Sequence, residues 1–251
     1  MEFPNKRYYG LHIPNLLSEE DQKRLSDLIH SPIFISQRIG SESQVGTIWL
    51  SSLKNMSFVI KVQSNCNKAH QEFEIQNYLS HRYPKNFLIT YGCIDRNQTT
   101  NVIFMETAIG DLSQVIMYSI VDQNMLTNYI LDVIDSVEIM SIEKVFHGDL
   151  HIRQIFIVLR NVNIKKAVIG DFGEHLRIDS PTMHLSDLKI FFKSLLEIIQ
   201  YVESSDKFIS KITKCLDFIS RQSSYIELND LSYDILSLQR DISEIKSLFN
   251  K

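Results

Sequence analysis

The 251-residue sequence predicts an α+β fold of two lobes, a β-rich first lobe and a small helical second one. Three observations predict it. Up to about residue 106, short runs rich in β-branched and aromatic residues dominate. After residue 110, apolar residues recur at helical spacing instead. Between these regions no Gly/Pro-rich linker, repeat or low-complexity tract intervenes. The chain therefore reads as a single domain, 1–251, with a first lobe of about 1–106 and a second of about 107–251.

Each element follows from local pattern. "LLSEEDQKRLSDLIHSP" predicts a short helix: Ser18 caps it, three acids fill its first turn, and Pro32 ends it. "IFISQRI", "GTIWLSS", "SFVIKVQ", "FLITYGCI" and "NVIFME" read as strands. The first lobe's one further helical stretch is "KAHQEFEIQNYLSHR". A change of character at 107–111 makes "TAIGD" a hinge. Over 124–143, Ile130, Val133, Ile134, Val137 and Met140 give the spacing of a helix. Two short strands, "IFIVL" and "KKAVIG", follow. Helices over about 185–202, 205–221 and 228–249 close the chain.

Composition narrows the function classes. A hydrophobic fraction of 44% and a charged fraction of 22% are ordinary for a globular protein. A net charge of -4 argues against nucleic-acid binding driven by bulk charge. Cys66, Cys93 and Cys215 are widely spaced and form no CxxC pair, as expected of thiols in a reducing compartment. "MEFPNKRYYG" lacks an apolar signal region, Glu2 breaks the myristoylation pattern, and no apolar run is long enough to span a bilayer. A soluble, intracellular protein of cytoplasm or nucleus is expected, with no membrane or nucleic-acid partner.

The chemistry-bearing residues concentrate in two places. "AVIGDFGEH" carries Asp171-Phe172-Gly173 at the exit of an apolar strand, where a carboxylate followed by a flexible glycine suits a Mg²⁺ ligand. Asp149, in "HGDLHIRQI", lies 22 residues earlier and is the candidate catalytic carboxylate. Together these segments resemble the protein-kinase-like superfamily. His147-Gly148-Asp149 is similar to its H-R-D loop, and Asp171-Phe172-Gly173 matches its D-F-G. The H-G-D-L-H spelling is that of atypical and small-molecule kinases.

The resemblance implies further roles. "FVIKV" resembles the strand that carries the phosphate-binding lysine, which is Lys61 here. Counting back from Pro84 makes Glu74 its ion-pair partner, with Glu72 the competing choice on a different helical face. "RIGSESQVGTIWL" stands where the phosphate-covering loop belongs. Gly40 and Gly46 are present there, but Glu42 replaces the middle glycine and the spacing is one residue too long. "VIFMETAIGDL" is similar to the hinge, with Met105 as gatekeeper and Glu106 to Ala108 along the adenine edge. Asp187, in "HLSDLKIFFKSLLEII", is expected to brace the catalytic loop through backbone N–H groups. ATP is the implied cofactor, with Mg²⁺ or Mn²⁺ held by Asp171 and Gln154.

Three departures qualify the match. Gln154 stands where the second metal ligand is normally Asn. Gly148 replaces the Arg that meets a phosphorylated activation loop. Only 13 residues separate Gly173 from Asp187, and they contain no A-P-E. The leading expectation is an ATP-dependent protein Ser/Thr kinase without activation-loop control, using Asp149, Lys61 and Glu74 in transfer and acting on a protein substrate. A pseudokinase that works through a partner protein is the alternative. A small-molecule kinase is the third reading.

Overall fold

The computed structural model describes residues 8–9, 34–39, 46–53, 56–63, 66–97, 100–119, 121–161, 164–177, 180–200, 202, 206–229 and 233–250. It is a mixed α+β fold with antiparallel sheets and, among the described residues, six helices. The expected helix before Pro32 lies outside the described residues. The chain divides into two compact units. The first comprises Met1–Thr107 together with Asp171–Gly173, and the second Ala108–Gly170 with Glu174–Lys251.

The first unit is built on a six-stranded sheet. Its strands are β1 (Tyr8–Tyr9), β2 (Phe34–Ile39), β3 (Gly46–Leu53), β4 (Met56–Gln63), β5 (Thr90–Asn97) and β6 (Thr100–Glu106), in the order β1-β5-β6-β4-β3-β2. Helix α1 (Cys66–Arg82) packs on β5 and β6. Its buried face is Ala69, Glu72, Phe73, Gln76, Leu79 and Ser80, the i, i+3, i+4 stripe of an amphipathic helix, with Ile75 buried beside it. Phe58, Ile60, Phe87 and Ile103 fill the core beneath it. β5 begins at Thr90 rather than at Phe87, because Phe87 to Ile89 approach the sheet as a loop tied to Glu106 by the bond from Glu106 N–H to the Ile89 carbonyl, at 2.9 Å.

The second unit has a three-stranded sheet, β10-β9-β7, formed by β7 (Gly110–Asp111), β9 (Ile155–Asn161) and β10 (Ile164–Ile169). A two-stranded ladder joins β8 (Val145–Phe146) to β11 (Leu176–Arg177). The helices are α2 (Leu112–Tyr118), α3 (Gln123–Ile142), α4 (Pro181–Ile199), α5 (Asp206–Asn229) and α6 (Ile235–Phe249). Asp111 caps α2 through a reciprocal box with Gln114, which fixes where the chain turns into helix after β7.

α3 runs through the middle of the second unit, with Ile130, Val133, Ile134, Val137 and Met140 fully buried. It packs on β10, α4 and α6. Asp132, on α3, reaches the edge strand β10: its carboxylate accepts the Ala167 backbone N–H at 3.2 Å and the Lys166 ammonium at 2.6 Å. Phe192 of α4 stacks on Phe249 of α6, with ring centroids 6.1 Å apart. No helix among the described residues is long and apolar enough to cross a membrane.

Candidate active site

In the first unit, a buried ion cluster gathers residues from β4, α1 and the segment Asp171–Gly173. Lys61 lies near the end of β4 and is 8% exposed. Its ammonium donates to Glu72 Oε1 at 2.7 Å, to Glu72 Oε2 at 2.9 Å and to Asp171 Oδ1 at 2.6 Å. Gln63, one strand repeat further on, donates from Nε2 to Glu72 Oε2 at 2.6 Å. Both Glu72 oxygens accept from the Lys61 ammonium, and Oε2 accepts again from Gln63. Burial works to lower the Lys61 pKa, but the Glu72 and Asp171 charges more than offset it and hold the ammonium above its ordinary range. Burial, with the Asp171 charge beside it, raises the Glu72 carboxyl above its ordinary range against the pull of Lys61 and Gln63.

The pairing corrects one expectation. The partner of Lys61 is Glu72; Glu74 points to solvent. The cause is helical phase. Glu72 shares the stripe of Ala69, Phe73, Gln76 and Leu79, whereas Glu74 falls in line with exposed Gln71, Tyr78 and His81. Burial phase along α1 is the signal that identifies Glu72, and it is readable from the apolar positions alone. Counting back from Pro84 misses it.

Asp171 has a left-handed backbone, with φ of 61°. For a residue with a Cβ this costs about 1 kcal/mol or more and persists only where neighbours impose it. Two neighbours do. Lys61 holds its carboxylate, and the next ring, Phe172, is fully buried with its centroid 6.0 Å from that of Phe87. A Cβ on Gly173 would lie 3.6 Å from both Asp171 Oδ1 and Glu72 Oε2, in ordinary van der Waals contact with the two carboxylates.

In the second unit, the loop after β8 is held from beneath. Asp187, fully buried on α4, accepts the backbone N–H groups of His147 at 3.0 Å and Gly148 at 3.1 Å, the expected brace. Burial pushes its carboxyl up to about 7, against the pull of those two N–H groups. His147 is also fully buried. Its Nε2 meets the Gly170 carbonyl at 3.0 Å, which can only accept, so Nε2 carries hydrogen and Nδ1 is left to accept the Asp149 N–H at 3.3 Å. Gly148 has φ of 87°, and a Cβ there would sit 2.6 Å from the Glu174 carbonyl oxygen. The glycine in H-G-D thus has a steric cause: the short segment after Gly173 packs its backbone against it.

Asp149 is half-exposed. Its Oδ2 lies 3.5 Å from His151 Nε2. His151 Nδ1 accepts the Arg153 N–H at 3.2 Å, so in the neutral ring Nε2 bears the hydrogen and turns it toward Asp149. Gln154 closes the 3₁₀ turn Ile152–Gln154. Its backbone N–H donates to His151 and its carbonyl accepts from Gly170 N–H at 3.0 Å.

The remaining predicted site residues divide. Gly46 is the first residue of β3, and Gly40 and Glu42 lie outside the described residues. Glu106 uses its carboxylate to accept the Ile89 N–H at 2.7 Å, so this side chain fastens its own strand end. Ala108 begins the second unit, half-buried. Met105 is buried beside Gln76.

The donor set fits a hard divalent cation in part. Asp171 offers carboxylate oxygen with a third of its side chain exposed. Among the described residues, no three His, Cys, Asp or Glu side chains are gathered to hold a metal by themselves. Mg²⁺ commonly relies on one or two carboxylates and on phosphate oxygens, so a single protein carboxylate here is compatible with it. A scan against protein-family models matches no family, and a search of curated proteins finds no match to this chain.

Proposed function

We propose that the chain is an ATP-dependent phosphotransferase of the bilobal protein-kinase-like kind, acting on protein Ser or Thr without activation-loop control. The observation that carries this reading is the Lys61–Glu72–Asp171 cluster. It draws a buried ammonium, a helix carboxylate and the D-F-G carboxylate, 110 residues from Lys61, into direct contact. Ordinary stability gives little reason for such a cluster, because burying charges costs more than packing apolar groups of the same volume.

In this reading Lys61, kept charged by Glu72, binds the α/β-phosphates, exchanging its Asp171 bond for phosphate oxygens. Asp171, with Gln154 in support, holds Mg²⁺ or Mn²⁺, which when bound neutralises charge on the phosphate oxygens. Asp149 orients the acceptor hydroxyl and takes its proton. Asp187 and His147 fix the backbone on which Asp149 sits. Glu106 and Ala108 contribute main-chain groups to adenine.

The test is transfer of labelled γ-phosphate from ATP with Mg²⁺ or Mn²⁺ to the protein itself and to a generic protein substrate. Transfer by the wild type, lost in both Asp149→Asn and Asp171→Asn, is the expected result. Gln154 in the Asn position favours a second reading, a nucleotide-holding scaffold. Folded protein that is stabilised by ATP yet transfers nothing, with Gln154→Asn equally inert, would decide for the scaffold.

A further inference from the structure

We infer that Gln63 is a positioning residue for Lys61, holding Glu72 in place with little net gain in fold stability; the inference rests on the phosphotransferase reading above. Gln63 ends β4 two residues after Lys61, so both side chains leave the same face of the strand. It is 1% exposed, and its Nε2 donates to Glu72 Oε2 at 2.6 Å. A carboxylate only accepts, so the NH₂ end of the amide must face it. The other end is then committed: Gln63 Oε1 is buried without a hydrogen-bond partner. Its cross-strand neighbour on β6, Asn101, does not supply one, because the Asn101 amide nitrogen is turned to Cys93 Sγ at 3.7 Å.

A buried acceptor with no donor destabilises a fold, and an apolar side chain of similar volume avoids that loss. The unpartnered acceptor therefore offsets much of what the bond to Glu72 contributes to stability, and Met or Leu at position 63 should fold about as well. What the amide contributes is a second anchor for Glu72, independent of Lys61. The ammonium is shared between Glu72 and Asp171, and on nucleotide binding it must also reach phosphate. With Gln63 holding Oε2, the carboxylate stays fixed while Lys61 pivots on Oε1. The anchor has to be neutral. A second cation at 63 would compete with Lys61 for Glu72, and a carboxylate would repel it.

The experiment compares wild type, Gln63→Met, Gln63→His and Lys61→Met by three readouts: melting temperature without nucleotide, ATP·Mg²⁺ affinity and γ-phosphate transfer. The expected result for Gln63→Met is a melting temperature close to that of wild type, with affinity or transfer down about tenfold, the loss of one charge-assisted bond. Gln63→His returns an N–H donor and recovers part of the loss. A Gln63→Met protein that melts well below wild type, or one that handles nucleotide as wild type does, overturns the inference. A wild type that binds no ATP, and so matches Lys61→Met, instead overturns the phosphotransferase reading.

Discussion

Glu72 in the first unit and Asp187 in the second are carboxylates cut off from solvent, at 1% and 0% exposure. Glu72 faces an ammonium and an amide, while Asp187 is gripped by the main chain of His147 and Gly148. The difference lies in what each carboxylate organises. Glu72 fixes a side chain, the Lys61 ammonium, which the proposed function needs charged and able to reach a ligand. Asp187 fixes backbone, and two N–H groups do that with directional bonds and no counter-charge. Burial raises both carboxyls, Asp187 up to about 7 against the pull of two N–H groups and Glu72 against that of Lys61 and Gln63.

The largest expected effect breaks the ionic side of the comparison. Lys61→Met leaves Glu72 charged and buried, and should destabilise the protein by about 3–5 kcal/mol in urea unfolding. Adding Glu72→Leu should restore most of that loss. A single-variant loss below about 1 kcal/mol would mean that Glu72 does not depend on its cation. The Asp171 leg, a third exposed, contributes the smaller share.

Gly148→Ala attacks the backbone side. It forces a Cβ to 2.6 Å from a carbonyl oxygen at φ of 87°. The expected loss is about 2–3 kcal/mol by chemical denaturation. Wild-type stability in this variant would show that the 147–149 backbone has slack.

Asp187→Asn sharpens the comparison through pH. The raised carboxyl pKa means that, between about 4 and 7, the folded protein keeps a proton that the unfolded chain releases. Its contribution is therefore full at the low end of that window and is lost as pH rises through it. Wild type minus Asp187→Asn stability should be larger at pH 5 than at pH 8, by about 1–3 kcal/mol, in thermal melts. His184, one turn earlier on α4, works the other way. Burial lowers its pKa from 6.5 to about 4, so stability falls as pH drops through that range. Removing either group should uncover the slope of the other.

Glu74→Ala is the smallest expected change. Its side chain is exposed, so stability should stay within about 0.5 kcal/mol and ATP-induced stabilisation should match wild type.

What was legible in the sequence follows from how local each cause is. β4, β6 and α3 were readable because period-2 and 3.6-residue patterns report directly on which face is buried. Lys61, Asp171 and Asp187 were readable as motif positions, and the structure brings Lys61 to Asp171 and sets Asp187 under the His147–Gly148 backbone. Glu74 was chosen by counting from a distant proline, which ignores the phase that put Glu72 against Lys61. β7, β8 and β11 span two residues each, too short to carry a period. The last helix starts at Ile235 rather than near 228 because Asp234 caps it, its carboxylate accepting the Ser237 N–H, and composition alone does not choose among the several acids nearby. Gln63 belongs to no motif; only its unequal hydrogen bonding makes it visible.

The Asp132 clasp on β10 bears on how copies of this chain coexist. β10 is the outer strand of its sheet, and an outer strand with free N–H groups is a template for pairing with another molecule. By occupying the Ala167 N–H, and by setting a Lys166–Asp132 ion pair across the same edge, α3 denies that template to a neighbour. The hairpin it guards exposes Leu159 and Ile164, apolar residues that an open edge would recruit into self-association. One aspartate on a helix thus occupies a strand edge that would otherwise be open to pairing.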